Sequence, residues 1–424
     1  MKPLLVAAIL LLPFASMAQQ ESVITLAGSV LTSGNADGPV AQALFSDPTG
    51  LAIDANVNIY VADNQNHTLR KLSAAGIVST LAGRVGQPGS KDATGTNATF
   101  YNPSGLILAP DGRLCVTDTG NHTVRCVTTN GIVTTLAGLA EQAGATNGTG
   151  NVARFNSPLG IAADLAGVLY VADTGNHLIR KVTASGIVTT LAGSPGVWGS
   201  ADGVGGNATF NGPVGIAVDN SSNVFVADAN NHTIRKITPA GAVSTWAGLA
   251  GADGTADGTG SDARFGKPAE LRIDRANNLF VVDSFYHTIR RISTHAVVTT
   301  VAGLAGSGGA ADGNGGTARF FNPYGLAIDH NGNLRVSDTY NQTLRFVYLP
   351  ITVTLNPGAA GGGYVISWPA VAGNAYQAQF RDSAGGATWQ NLGGVVTATN
   401  SNCAQADNSA APGGQRYYRV RLMP

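Results

Sequence analysis

The chain is short of charge. Asp, Glu, Lys and Arg make up 12% of its 424 residues, and 25 basic side chains balance 25 acidic ones. A net charge of zero gives no reason to expect a polyanionic partner or an anionic membrane surface. Beyond the N-terminal segment no stretch is long and apolar enough to cross a bilayer. There is no nucleophile elbow, no phosphate-cradling glycine loop, and no His/Cys cluster at metal-ligand spacing outside one repeated turn. Cysteine is scarce too: Cys115, Cys126 and Cys403 are all there is.

Glycine, by contrast, is abundant, at 56 residues. That many glycines suit tightly turned β structure, because Gly weakens helix interiors. Residues 1–18 read as a signal peptide: Lys2 gives the positive end, Leu4 to Leu12 the apolar stretch, and Ser16-Met17-Ala18 a small-residue cleavage site. Cleavage near Ala18 implies a secreted, periplasmic or cell-surface protein in an oxidising compartment.

One phrase is written six times. It opens at Pro48, Pro103, Pro158, Pro213, Pro268 and Pro323, a constant step of 55 residues. Each copy runs Pro-x-Gly-Leu/Ile-Ala-x-Asp, then a turn, then Val-x-Asp-x-x-Asn-His-x-Ile/Leu-Arg-Lys, and five copies end in a variant of Val-Thr-Thr-Leu-Ala-Gly. A fixed period means that each repeat is one supersecondary unit and that stacked units share a core. The first copy holds four short strands, Gly50 to Asp54, Asn58 to Ala62, Thr68 to Leu72 and Ile77 to Leu81, which is the content of a β-propeller blade. The sixth copy lacks the final strand, and an isolated Val23-Ile24-Thr25-Leu26-Ala27-Gly28 stands near the N-terminus. The simplest arrangement is a closed ring whose last blade is completed by the first strand, leaving no open edge. The expected fold is therefore all-β: a six-bladed propeller over residues 19–350, followed by a small β-sandwich over 351–424.

The motifs Gly-Ile-Ala-x-Asp, Val-Ala-Asp-x-x-Asn-His-x-Ile-Arg-Lys and Thr-Thr-Leu-Ala-Gly, repeated over residues 21–350, closely resemble the NHL repeat family. That resemblance implies a six-bladed propeller. It leaves function open, because the family includes binding scaffolds, RNA binders and lyases.

The repeat explains many residues that would otherwise look catalytic. His67, His122, His177, His232 and His287 share one position, where the sixth copy has Gln342. Histidines spread around a ring cannot converge on one metal, and a glutamine substitute suits a hydrogen-bonding role. The Asp63, Asp118, Asp173, Asp228, Asp283, Asp338 column is placed to cap turn N–H groups. The Arg70 to Arg345 column is placed to pair with carboxylates between blades, and the Phe45 to Phe320 column to anchor the inter-blade loops. Positions eleven apart read Tyr60/Lys71, Tyr170/Lys181, Phe225/Lys236, Phe280/Arg291, then exchanged as Arg335/Phe346, and Cys115/Cys126 in the second copy. An aromatic facing a cation, once swapped and once replaced by two cysteines, predicts cross-strand neighbours and a Cys115–Cys126 disulfide. Cys403 is left over, expected buried and free.

Departures from the repeat mark the candidate site. In the fifth copy Gly becomes Glu270 and Ala becomes Arg272, and alternation along a strand puts Glu270, Arg272 and Asp274 on one face. Phe285 and Tyr286 replace small residues of the upper turn, Tyr324 begins the sixth inner strand, and Trp198 lies in the junction before the fourth blade. These six, Glu270, Arg272, Phe285, Tyr286, Tyr324 and Trp198, are expected at the channel mouth on the face built by the inter-blade loops. After Pro350, segments such as Val365-Ile-Ser-Trp-Pro369 and Arg416-Tyr-Tyr-Arg-Val-Arg421 resemble a fibronectin type III-like sandwich.

The expected function is a binding scaffold for a protein, peptide or glycan, monomeric, with no nucleic acid, no membrane insertion and no required cofactor. The Asp-Gly segments of the junction loops lack the dense carboxylates of a strong calcium loop. The alternative is a lyase or hydrolase, of the amidating-lyase or lactonase kind, with a divalent metal in the channel.

Overall fold

The computed structural model describes residues 21–349, 353–357, 364–370, 375–382, 388–399, 402–409 and 416–423. The expected signal peptide lies outside the described residues. Two compact units are present, Glu21–Tyr348 and the chain from Leu349 onward.

The first unit is a six-bladed β-propeller. Blade 1 shows the plan: Pro48–Ile53 lies innermost, followed by Ile59–Asp63, Thr68–Leu72 and Ile77–Ala82, all antiparallel. A two-residue strand, Gly38–Pro39, from the loop that enters the blade adds an outer fifth strand beside Val78. Five sheets have five strands and blade 2 has four. Blade 6 is closed by Ser22–Gly28, which runs antiparallel to Thr343–Tyr348 from Ser22 opposite Tyr348 to Gly28 opposite Thr343. Apolar residues alternate along each strand, so that hydrophobic layers fill the space between neighbouring blades; Tyr60, Leu69 and Ala82 of blade 1 pack against Leu106, Leu114 and Val116 of blade 2.

The cross-strand pairs read from the sequence are in register. Tyr60 faces Lys71, Tyr170 faces Lys181, Phe225 faces Lys236, Phe280 faces Arg291 and Arg335 faces Phe346. The Lys71 ammonium lies 5.7 Å from the Tyr60 ring centroid, and the exchanged pair is closer, with Arg335 3.4 Å from Phe346. Cys115 and Cys126 stand opposite each other with Cα atoms 4.1 Å apart and form a disulfide.

The polar columns are tied into one recurring joint. Arg70, fully buried, donates to Asp63 at 2.6 Å and to Asp37 of the entering loop at 2.6 Å, and also to the carbonyls of Leu44 and Ala36. Its guanidinium lies over Phe45. Asp63 further accepts from the Ser46 N–H and from Asn66, and Asp37 accepts from Thr80. The arginine therefore pairs both within its own blade and with the loop arriving from the preceding one. Burial pushes the Asp63, Asp118 and Asp338 carboxyls up to about 6, against the opposing pull of the nearby arginine.

The second unit is a small β-sandwich. Thr354–Pro357, Tyr364–Pro369 and Asn402–Asp407 form one sheet. Ala375–Arg381 pairs with Gln390–Asn391, Val396–Thr397 and Tyr417–Leu422 in the other. Ile366 and Trp368 of the first sheet pack on Tyr376, Ala378, Tyr418 and Val420 of the second. Asn402–Asp407 has too much Ala, Asn and Gln to read as a strand from the sequence. It carries Cys403, which is free as expected but only half-buried, at the margin of the core against which it packs.

Candidate functional site

Five inner strands carry glycine as their third residue or its equivalent: Gly50, Gly105, Gly160, Gly215 and Gly325. A β-carbon on Gly50 would stand 2.2 Å from the Ser104 carbonyl oxygen of the next blade, and one on Gly215 1.9 Å from that of Ala269. No side chain fits at such distances, so glycine lets the inner strands touch around the axis. Blade 5 has Glu270 at this position, and Tyr324 of the neighbouring blade lies just ahead of its inner strand, Leu326–Ile328, rather than beginning it as the sequence suggested. Blade 5 thus puts a side chain at the inner-strand position where the other five blades have none.

Glu270 is 2% exposed and forms an ion pair with Arg272 on the same strand face. The Arg272 guanidinium then crosses the axis. It donates to the Leu51 carbonyl of blade 1 at 3.2 Å and to the Leu106 carbonyl of blade 2 at 3.1 Å. Tyr324, from blade 6, hydrogen-bonds Ser104 of blade 2; burial pushes its hydroxyl well up, and the Glu270 charge adds to the effect. Burial likewise raises the Glu270 carboxyl, with Arg272 pulling the other way. Above this network Val214, Ala229 and Ala269 pack together with Leu159 and Tyr324. Below it a cavity of ≈ 210 Å³ is lined by residues that include Leu51, Ile107, Arg272 and Ile273. The channel is thus occupied by side chains at two levels.

Asp274 does not join Glu270 and Arg272. Its carboxylate accepts from the Ala276 and Asn278 N–H groups and from the Asn278 side chain, capping the turn at the lower face. Asp54, Asp164 and Asp219 do the same in their blades, since Asp binds the backbone two residues on. The histidine column also has a structural task. The Nδ1 atoms of His67, His122, His177 and His287 accept the N–H of Asn102, Ser157, Gly212 and Asn322, each on the loop entering the next blade. Gln342 does this with its Oε1 for Asp47, closing the ring. An accepting Nδ1 requires a neutral ring protonated at Nε2. Burial lowers His67, His122 and His177 from 6.5.

Blade 5 departs from the other blades at both of its seams, although its own His287 keeps the usual joint. At the seam with blade 4, His232 faces the Gly266 carbonyl instead of an N–H. Thr119, Thr174 and Thr339 each donate to the first proline carbonyl of the following blade. Blade 4 has Ala229 at this position, and in blade 5 Ser284 turns back to Lys267. Tyr286 replaces the asparagine that elsewhere holds the aspartate. Asp283 accordingly accepts from the Gly266 and Lys267 N–H groups and stands 3.9 Å from Arg290, against 2.6 Å for the blade 1 pair.

The upper rim of blades 5 and 6 is aromatic. Phe285 packs on Tyr286 at 5.0 Å, and Phe321 contacts both His287 at 5.7 Å and Tyr340 at 5.4 Å. Tyr286 donates to Asp253. Phe285 is 59% exposed, Tyr340 49% and Phe321 38%. The equivalents of Phe285 and Tyr340 in blades 1 to 4 are Gln65, Gly120, Gly175 and Asn230. The six sequence candidates therefore divide. Glu270, Arg272 and Tyr324 meet inside the channel; Phe285 and Tyr286 stand on the rim of the same sector; Trp198, 69% exposed, belongs to a separate junction where it bridges to Phe210. Ser104, Phe321 and Tyr340 were not legible as partners; the paired aromatic departures in blades 5 and 6 were the available signal. Among the described residues no three His, Cys, Asp or Glu side chains lie close enough to hold a metal ion.

The NHL repeat family is matched at residues 45–72, 100–127, 155–182 and 210–237. The chain carries NHL repeats. It is 31% identical over 283 residues to protein SUPPRESSOR OF QUENCHING 1 of Arabidopsis thaliana, covering 62% of this chain and 26% of that one. It is 28% identical over 304 residues to NHL repeat-containing protein 2 of Bos taurus, covering 63% and 42%. The chain therefore spans less than half the length of either relative. An auxiliary nutrient binding protein from Bacteroides thetaiotaomicron shares the fold, with a TM-score of 0.60 and 17% identity over 78% of this chain and 76% of that one. The repeat extends beyond the four matched NHL segments: blades 5 and 6 have the same strands and the same buried arginine.

Proposed function

We propose that this NHL propeller is an exported binding scaffold that engages a protein, peptide or glycan on its loop face, in the sector of blades 5 and 6. The exposed Phe285, Phe321 and Tyr340 rings carry the reading. The other blades fold with polar residues or glycine at most of these positions, so the scaffold does not call for rings there, and exposed apolar groups clustered on one sector are the usual mark of an interaction surface. Export accords with residues 1–18 read as a signal peptide and with the Cys115–Cys126 disulfide. The lyase or hydrolase reading has less support, because the recurring carboxylates and imidazoles are taken up by turns and blade joints.

The test is a screen of a glycan array and a displayed peptide library, run in parallel with the full-length protein and a Phe285→Ala/Tyr340→Ala variant. At least one ligand held by the parent should be lost by the variant at unchanged melting temperature. Ligands held equally by both would remove the rim from the function. A tightly bound divalent ion that confers turnover on lactone or peptide substrates would favour the enzyme.

A further inference from the structure

The neutrality of the whole chain conceals a basic face on the C-terminal unit. After position 350 the sequence has four arginines, Arg381, Arg416, Arg419 and Arg421, no lysine, and two acidic residues, Asp382 and Asp407, so four minus two leaves a net charge of +2. Both carboxylates are taken by one arginine: Arg416 pairs with Asp382 at 2.7 Å and with Asp407 at 2.9 Å.

The other three arginines gather on one side of one sheet. Gln377 lies opposite Arg421, Gln379 opposite Arg419, and Arg381 opposite Tyr417. Side chains alternate along strands, so these six share a face, while Tyr376, Ala378, Tyr418 and Val420 turn to the core. Trp389 lies against the basic face: the Arg419 guanidinium is 4.4 Å and that of Arg381 4.7 Å from its ring centroid. The Nε of Arg419 also donates to Gln379 at 2.7 Å, which fixes the plane of the fork. Arg421 is exposed. Burial first, then the charges of Arg421 and Arg381, holds Arg419 below the ordinary guanidinium range. Three like charges on one small face repel one another, and an anion laid across them relieves that repulsion.

We propose that this face, built from Arg381, Arg419 and Arg421 around Trp389, binds an acidic polysaccharide through its carboxylate or sulfate groups. Planar guanidinium forks match the paired oxygens of such groups. Two features favour a charged glycan over other polyanions. Single-stranded nucleic acid is gripped by bases stacking on free aromatic faces, whereas the Trp389 ring is already covered by two guanidinium groups. An anionic bilayer is held by apolar side chains inserted beside the basic ones, and this face offers only a half-buried indole, with Gln377 and Gln379 buried beneath the arginines. The site is separate from the aromatic rim and does not depend on the function proposed for it.

The experiment uses the full-length protein in affinity electrophoresis through gels containing polygalacturonate, dextran sulfate or neutral dextran. Oligothymidylate and phosphatidylserine vesicles serve as competing probes. The parent should be retarded by both acidic polysaccharides but not by neutral dextran, and less so as salt rises. Arg419→Ala/Arg421→Ala should weaken retardation about tenfold at low salt, as expected for two lost charge contacts. Arg421→Ala, at an exposed position, should lose part of the effect at unchanged melting temperature and guards against misfolding of the double variant. Absence of retardation, equal retardation of the folded alanine variants, or preferential binding of oligothymidylate or vesicles would each overturn the proposal.

Discussion

The Arg272 guanidinium donates to the Leu106 carbonyl at 3.1 Å and so joins strands three blades apart across the propeller axis. Its carboxylate partner, Glu270, occupies the position that is glycine in every other blade. Removing one member of a buried ion pair strands the other. Glu270→Gly should therefore cost about 3 kcal/mol of unfolding free energy. Glu270→Gly/Arg272→Ala restores the Gly-x-Ala of blades 1, 3, 4 and 6 and should recover most of it in urea denaturation. A double variant no more stable than the single one would show that the pair does not act as a unit.

Neutral imidazole should be required at the blade joints. A histidine whose pKa is lowered by folding contributes stability that is complete above 6.5 and fades as the pH falls below it, because the unfolded chain takes up the proton first. His67→Gln/His122→Gln/His177→Gln copies the Gln342 joint and cannot titrate. Relative to this variant the parent should lose stability as the pH drops from 7 to 5, which thermal melts at matched ionic strength would reveal. The raised aspartates are common to both proteins and cancel in the difference. Parallel melting curves across the range would refute the assignment.

The disulfide closes a short loop, with 11 residues of separation between Cys115 and Cys126. Loop-entropy reasoning gives about 2–3 kcal/mol for a closure of this size. Reduction should lower the melting temperature by several degrees while circular dichroism at room temperature is unchanged. Cys115→Tyr/Cys126→Lys, which installs the pair found in blades 1 and 3, should narrow that gap. If reduction alone unfolds the propeller, the packing of blade 2 has been overstated.

Blade 5 should be the most easily opened blade, since both of its seams lack the threonine-to-proline clasp. Hydrogen exchange should be faster for amides in Gly266 to Asp283 than for their counterparts in Tyr101 to Asp118. Ala229→Thr supplies the hydroxyl that Thr119 presents to Pro158 at 2.7 Å. It should slow that exchange and add about 0.5–1 kcal/mol of stability. Uniform protection across all six blades would contradict the inventory of joints.

The repeat made the strand pairing legible because it wrote each contact six times with variations. Tyr60/Lys71 and Arg335/Phe346 are the same contact with its members exchanged, and that exchange is visible in one sequence. What stayed hidden was contact between different repeats. Nothing in the spacing shows that Tyr324 meets Ser104, or that Arg272 reaches Leu51, because those distances depend on how the ring closes. Asp274 was placed with Glu270 by alternation alone, which ignores the stronger demand of the turn N–H groups beside it. The rim aromatics were half legible: Phe285 and Tyr286 stood out as departures, while Phe321 and Tyr340 were hidden among tolerated variations.

Ring closure also sets the order in which the protein is assembled. Thr25 lies opposite Arg345, 320 positions later. At typical synthesis rates of about 5–20 residues per second, the opening segment waits roughly 15–60 s for its partner to emerge. Throughout that interval it must stay unpaired, and contacts so distant in sequence form slowly. Once Thr343–Tyr348 is made, its outer edge is briefly an open template that the same segment of another copy fits equally well. Crowded synthesis should therefore yield strand-exchanged pairs of propellers, and the hazard ends when each chain captures its own beginning.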